Sequence, residues 1–287
     1  MVVPLPQLDN AIERQFHTVR PTDSVMTALA VMNGARLQVS GTSVERPQTN
    51  DLAPHRTSCV LVVENDRLQG ILTERDAVKL MATSGIDAAM TVVDVMTAQP
   101  LALQEGSKAA TLSEALQTLR QFRIRHLPVV NEANSPTGLI TASSIRGILQ
   151  PANLLRRQRV REVMATRVQS ALGSATVQQL VEQMYLQRVS CTVVVEVGAN
   201  GEQVRPIGIV TERDIVKLRL QQLDFKTATA REVMSGPLHC LHPDDSLAVA
   251  HQVMQTLRVR RLVVAGDRRE LVGILTQTSM LQAVDLA

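Results

Sequence analysis

Two identical tetrads, Thr73-Glu74-Arg75-Asp76 and Thr211-Glu212-Arg213-Asp214, gather the residue types most able to do chemistry in this chain. An acid three residues after a threonine is the pattern of a capping box. There the hydroxyl and the carboxylate satisfy free N–H groups at a helix start. Two basic clusters form a second constellation: Arg123, Arg125 and His126, then Arg258, Arg260 and Arg261. Guanidinium forks suit phosphate oxygens, and ion pairs or a solvated rim are the plainer reading. Residues two apart on a strand share a face, so Arg123 is expected beside Arg125 and Arg258 beside Arg260. Ser58-Cys59 and Ser190-Cys191 open two valine-rich runs. A buried cysteine packs as a small hydrophobe, whereas small side chains at a strand edge also let a ligand reach the backbone.

Other chemistries lack their residues. The six histidines and three cysteines show no metal-ligand spacing, and His239-x-x-His242 has no further ligands nearby. There is no phosphate loop, no nucleophile elbow and no paired acid and base. The expectation is therefore a protein with no catalytic and no metal site.

Composition narrows the classes further. The 287 residues are 45% hydrophobic and 20% charged, with 1% aromatic residues and no Trp. The core must be built from Val, Leu, Ile, Met and Ala. A net charge of +3 with almost no stacking rings argues against nucleic acid as a partner. No run of 18 apolar residues exists, so no membrane span is expected. Sparse, unpaired cysteines without a secretory leader fit a reducing compartment, the cytoplasm.

The elements that position these residues repeat four times. Each unit ends in a glycine, two or three apolar residues and a threonine: Gly70 to Thr73, Gly138 to Thr141, Gly208 to Thr211 and Gly273 to Thr276. The threonines are 68, 70 and 65 residues apart, a period that fixes the architecture. Upstream, Ser24, Thr111, Thr176 and Ser246 precede apolar stripes at helical spacing and read as N-caps. Arg36, Arg123, Arg188 and Arg258 follow each cap by twelve residues. A valine-rich strand, a polar turn, the glycine strand and a second helix complete the unit. Units two to four open with Val95-Met96, Val163-Met164 and Val233-Met234, whereas unit one opens after residues 8–15, read as a helix. Unit one also carries a polar insertion within residues 38–56, read as a solvated loop.

The units alternate. The first and third end in Thr-Glu-Arg-Asp and carry Ser-Cys; the second and fourth end in Thr-x-x-Ser and carry the basic clusters. The chain reads as a doubled pair: residues 1–150 with units at about 16–82 and 93–149, and residues 151–287 with units at about 160–222 and 231–285.

The Val-Met openings, Arg123 to Val130 (Arg-x-Arg-His-Leu-Pro-Val-Val) and Gly208 to Asp214 closely resemble CBS domains, the cystathionine-β-synthase-type repeats that pair into Bateman modules. The resemblance implies an α/β fold of four repeats, each a small sheet with two helices on one face, arranged as two pseudo-two-fold pairs. It implies a regulatory role, sensing AMP, ADP or ATP, with S-adenosylmethionine less favoured, in clefts between repeats. It places ribose on Thr73 with Asp76 and on Thr211 with Asp214. Ser58, Cys59, Ser190 and Cys191 would lie near the base, and Arg123, Arg125, His126, Arg258, Arg260 and Arg261 would receive phosphates. The output is expected in an unidentified effector domain or protein, with a homodimer through the paired repeats as a further expectation. A nucleotide-independent protein-interaction module is the alternative.

Overall fold

The computed structural model describes residues 8–35, 57–107, 111–141, 144–145, 158–198 and 204–283. The polar insertion at 38–56, Arg36 and the boundary at Pro151 lie outside the described residues.

Each repeat begins with a short strand that pairs in parallel with the first strand of a hairpin. In the first repeat β1 (Thr18–Val19) lies beside β2 (Cys59–Glu64), which turns back into β3 (Arg67–Thr73). β4 (Thr97–Ala98) adds to the far edge of β3. The second repeat has β5 (Leu103–Gln104), β6 (His126–Val130) and β7 (Pro136–Thr141). The third has β8 (Ser170–Leu172), β9 (Cys191–Val197) and β10 (Val204–Thr211). The fourth has β11 (Cys240–Leu241), β12 (Arg261–Ala265) and β13 (Leu271–Thr276). The parallel pairing needs a crossover, and a helix supplies it in every repeat: α1 (Val25–Met32), α3 (Leu112–Gln121), α4 (Val177–Leu186) and α7 (Leu247–Thr256). After the hairpin come α2 (Glu74–Thr83), α5 (Glu212–Leu220) and α8 (Gln277–Ala283), while α6 (Ala230–Val233) leads into the fourth repeat.

Local chemistry accounts for the helix starts. The Ser24, Thr111, Thr176 and Ser246 side chains each accept a hydrogen bond from the N–H three residues on, as N-caps do. The helix ends correct one expectation. Arg123, Arg188 and Arg258 stand just past α3, α4 and α7 at φ of 52, 53 and 53°. This is the left-handed residue that stops a helix, and Gly34 holds it after α1 at φ 94°. Arg123 and Arg258 are thus exposed turn residues ahead of β6 and β12. They do not share a strand face with Arg125 and Arg260.

The strands are buried on both faces, which explains their continuous valine runs. Val60 and Val62 of β2 point to a helical core, while Cys59 and Leu61 point to a second core with Val130 and Leu139 of the neighbouring repeat. Likewise Val194 of β9 faces helices, and Cys191, Val193 and Val195 meet Val263 and Ile274 of the fourth repeat. Repeats one and two therefore pack sheet to sheet, as do three and four.

The pairs then join through the odd repeats. Leu29, Val78 and Met81 share one core with Leu180, Met184 and Ile215. Each fully buried leucine there contributes about 1.5–3 kcal/mol. The even repeats keep separate cores around Leu116 and around Met254.

The segments that open each repeat are exchanged within a pair. Thr97 pairs with Ile71, Glu13 with Leu139, Ser235 with Ile209 and Ala165 with Ile274. Each time, the residue after the repeat glycine receives the opening segment of the other repeat. A Cβ on Gly70, Gly208 or Gly273 would run into the sulfur of Met96, Met234 or Met164, and one on Gly138 into Ile12. The glycine is required for this close approach. Ile12 takes the place of the Val-Met methionine, so the first repeat has this feature in another form. The expected helix over 8–15 is a short 3-10 turn, Leu8–Ala11, followed by this extended crossing.

Candidate functional site

The tetrads fold as reciprocal caps. Thr73 donates from its N–H (2.9 Å) and its hydroxyl (2.7 Å) to Asp76 Oδ2, and the Asp76 N–H returns to Thr73 Oγ1 at 3.4 Å. Thr211 and Asp214 repeat this at 2.8, 2.7 and 3.4 Å. The box uses Oδ2 alone. Among the described residues Oδ1 of each half-buried aspartate receives no hydrogen bond. Capping and ligand binding are therefore compatible at one carboxylate. In the even repeats a serine hydroxyl replaces the acid. Thr141 N donates to Ser144 Oγ at 2.9 Å and Thr276 N to Ser279 Oγ at 3.0 Å. Ser144 and Ser279 complete caps and offer no second oxygen. Thr141 is engaged further, its hydroxyl donating to Glu13 Oε1 at 2.8 Å.

The middle residues of the tetrads, which the repeat pattern left without a role, tie the two pairs together. Glu74 and Glu212 are 4% and 1% exposed. Arg213 Nε donates to Glu74 Oε1 at 2.9 Å, and Arg75 Nε to Glu212 Oε1 at 3.2 Å. The even repeats complete the exchange across the molecule. Arg125 Nη2 donates to Glu212 Oε2 at 2.7 Å, and Arg260 Nη2 lies 3.8 Å from Glu74 Oε2. Each buried glutamate thus faces one arginine from the other odd repeat and one from the even repeat of the facing pair. Buried carboxylates are stable only when paired in this way. The signal was present in sequence: the tetrad recurs with its glutamate and arginine intact, which a capping box alone does not require.

Each serine binds the first strand residue of the even repeat in its own pair, and Ser58 also meets an arginine of the facing pair. Ser58 Oγ lies 2.7 Å from His126 Nε2, and Arg261 Nη2 donates to Ser190 Oγ at 2.7 Å. Ser58 Oγ also accepts from Arg260 Nη1 at 3.2 Å, leaving its proton for His126. Backbone bonds bring the caps to the same places, since Glu74 N and Glu212 N donate to the carbonyls of Ser58 and Ser190 at 3.1 Å. Two centres result. One holds Ser58, Thr73, Glu74, Asp76, His126, Arg213 and Arg260. The other holds Ser190, Thr211, Glu212, Asp214, Arg75, Arg125 and Arg261. Among the described residues Arg123 and Arg258 make no side-chain hydrogen bond or ion pair to either centre and stay on the surface.

Burial sets the electrostatics. It pushes the His126 imidazole down to about 3, helped by the charges of Arg125, Arg260 and Arg75, so the ring is neutral at pH 7. Burial, then Arg213, lowers Arg260 to about 10, which leaves it charged. Burial raises the Cys59 thiol to about 12 and lifts Cys191 as well. Both are sheet-core thiols, unreactive at neutral pH. Among the described residues no group of three His, Cys, Asp or Glu converges as metal ligands, and no helix is long and apolar enough to cross a membrane.

A family model for the CBS domain matches four segments, residues 10–83, 92–150, 160–221 and 230–286. The chain belongs to the CBS-domain family. This CBS chain is similar in sequence to protein MJ1225 of Methanocaldococcus jannaschii, 27% identical over 187 residues, 60% of this chain and 64% of that protein. A 33.4 kDa protein from the ribosomal RNA operon of Thermofilum pendens is 28% identical over 206 residues, 64% of this chain and 63% of that one. The matched stretches span under two thirds of both relatives. The crystal structure of MJ1225 superposes with a TM-score of 0.76 at 20% identity, covering 96% of this chain and 99% of that one. The likeness is one of fold: four CBS repeats in two pairs.

Proposed function

We propose that this CBS protein is a regulatory module that binds adenosine nucleotides, AMP, ADP or ATP, and passes its bound state to a partner domain or protein. One observation carries the reading. At each odd repeat a carboxylate with an uncommitted oxygen stands on the same helical turn as a glutamate that gathers guanidinium groups from the facing pair. A carboxylate oxygen accepts ribose hydroxyls, and guanidinium forks hold phosphate oxygens. Asp76 and Asp214 take ribose in this reading, with Thr73 and Thr211 beside them. Arg125, Arg260 and Arg261 take phosphates, and Ser58, Cys59, Ser190 and Cys191 line the base. The module acts by binding and does no chemistry of its own. MJ1225 has been put forward as an archaeal homologue of g-AMPK, which is in keeping with this role.

Phosphate must compete with Glu74 and Glu212 for the arginines, and that competition supplies the switch. Nucleotide favours an arrangement in which the inter-pair ion pairs are exchanged for ligand contacts, and so shifts the population of pair orientations. A second reading has an observation of its own. The buried glutamates already satisfy the arginines, as a purely structural interaction module would need. Calorimetry of the whole chain with AMP, ADP, ATP and S-adenosylmethionine separates the two. Saturable heat with an adenosine ligand supports the sensor, and no heat together with no thermal shift overturns it.

A further inference from the structure

The first pair closes the outer end of its sheet-to-sheet core, and the second pair leaves that end open. In the first pair Leu68, two residues before the repeat glycine, is 6% exposed. Its N–H donates to the Asn134 carbonyl at 2.9 Å, and Asn134 Nδ2 donates to the Leu68 carbonyl at 3.2 Å. The turn of the second repeat is thereby strapped over the strand of the first. In the second pair Pro206 takes the place of Leu68, at the same β-bulge, and a proline has no N–H to give. Asn134, at φ 64°, is matched by Arg269, at φ 62° in the same left-handed turn. Among the described residues this strap does not form.

The hairpin of the third repeat also runs further out. β9 and β10 have seven and eight residues, against six and seven in the first repeat and five and six in the second and fourth. The added length is amphipathic. Cys191, Val193 and Val195 lie in the core shared with the fourth repeat, and strand alternation puts Val197 on the same face. Val204 pairs with Val197, while Pro206 and Leu172 of β8 pair with Val195. These four apolar side chains therefore continue the core outwards as a ledge. Leu172, Val197 and Val204 are 49%, 49% and 40% exposed. The reverse face is polar, with Glu196 opposite Arg205 and 3.4 Å from Arg231. Along the paired strands the place of Leu172 is held by Arg20, Gln104 and His242 in the other repeats. The sister hairpins have already turned at the level of Val197 and Val204.

An exposed aliphatic face that continues an internal interface marks an interaction surface, and size and charge choose its occupant. A stable interface between globular partners takes about 800 Å² from each side. Four partly exposed side chains do not supply that, which disfavours a second copy and suits a short strand, whose alternate side chains point to one face. Leu271 packs in the same core and brings Arg269 and Arg268, two and three residues earlier, to the end of the ledge. Both arginines are exposed, and neither has an ion-pair partner among the described residues. We propose that the ledge is a docking surface for a short extended segment of a partner protein, aliphatic at alternate positions and acidic where it meets Arg268 and Arg269. The ledge lies at the far end of β10 from Thr211, seven residues away at about 3.3 Å each, so the two centres keep their own contacts when it is occupied.

The test selects a displayed library of short random peptides on the full chain and counter-selects it on a Leu172→Gln, Val197→Asn, Val204→Asp variant. These changes install residues that sister repeats carry at Gln104, Asn65 and Asp66, and circular dichroism is expected to show an unchanged fold. Should the triple variant melt early, Leu172→Gln alone serves for the counter-selection. The surviving peptides are expected to alternate aliphatic residues and to carry aspartate or glutamate at one end. Arg268→Gln together with Arg269→Gln is expected to weaken them about tenfold. A selection with no survivors, or survivors without acidic residues, overturns the proposal. Sedimentation of the wild-type chain alone completes the test: a dimer that the triple variant abolishes assigns the ledge to a second copy and overturns it equally.

Discussion

Arg125 of the second repeat donates to Glu212 of the third at 2.7 Å, 87 residues on and in the other pair. Glu212 is 1% exposed, while the Arg125 and Arg75 side chains that hold it are 25% and 45% exposed. The carboxylate is therefore the partner that cannot stand alone, and the guanidinium groups can turn to water or to an anion.

Glu212→Gln leaves both arginines without their charge partner. Removing one side of a buried pair is costly, and partial exposure of the arginines tempers the loss to roughly 2 kcal/mol. Urea denaturation without ligand should show that loss. Phosphate compounds should bind the variant more tightly than wild type, because the internal competitor has gone. Weaker binding would show that Glu212 positions the arginines and does not compete for them.

The serine caps of the even repeats supply a way to separate two roles of Asp76. Asp76→Ser copies Thr141 with Ser144, so it should keep the helix start and change stability by less than about 0.5 kcal/mol. It removes Oδ1, and nucleotide affinity should fall at least tenfold. Asp76→Ala should lose the affinity together with about 1 kcal/mol of stability. Unchanged affinity in Asp76→Ser would end the ribose assignment.

His126 gives the stability a defined pH dependence. Its folded value of about 3 lies below the ordinary 6.5 that the unfolded chain recovers. Between these values the unfolded state binds more protons, so stability falls as pH falls through that window and is unaffected above it. Relative to a His126→Asn variant, wild type should lose about 2 kcal/mol between pH 7.5 and 5. Parallel curves for the two proteins in urea would show that the imidazole is not held neutral.

Gly208 is the tightest of the four crossings. A Cβ there meets the Sδ, Cγ and Cβ of Met234, so a rotamer change of the methionine cannot clear it. Gly208→Ala should destabilise by about 1–3 kcal/mol. Met234→Ala in the same chain should return part of that loss, giving a non-additive double-mutant cycle. Strict additivity would mean that the segments do not cross at this glycine.

The sequence by itself determined what depends on near neighbours. The hydroxyls of Ser24, Thr111, Thr176 and Ser246 act three residues along the chain, and the valine runs announce strands covered on both faces. The four repeats and their alternation followed from comparison of the copies, and with them the family. Short range also misled. Arg123 and Arg258 looked like strand residues by spacing, yet helix termination puts them in a left-handed turn. Only the tertiary structure decided which repeat receives which side chain. The opening segment that precedes one repeat completes the sheet of another, because exchange buries its methionine against a glycine it does not adjoin in sequence. Arg125 and Arg260 cross to the facing pair because α2 and α5 pack on a common core and bring Glu74 and Glu212 between them. A periodic pattern fixes the face on which a charge lies. The partner of that charge is set by how the faces are stacked, and here stacking turns two caps and two basic clusters into two linked, unequal centres.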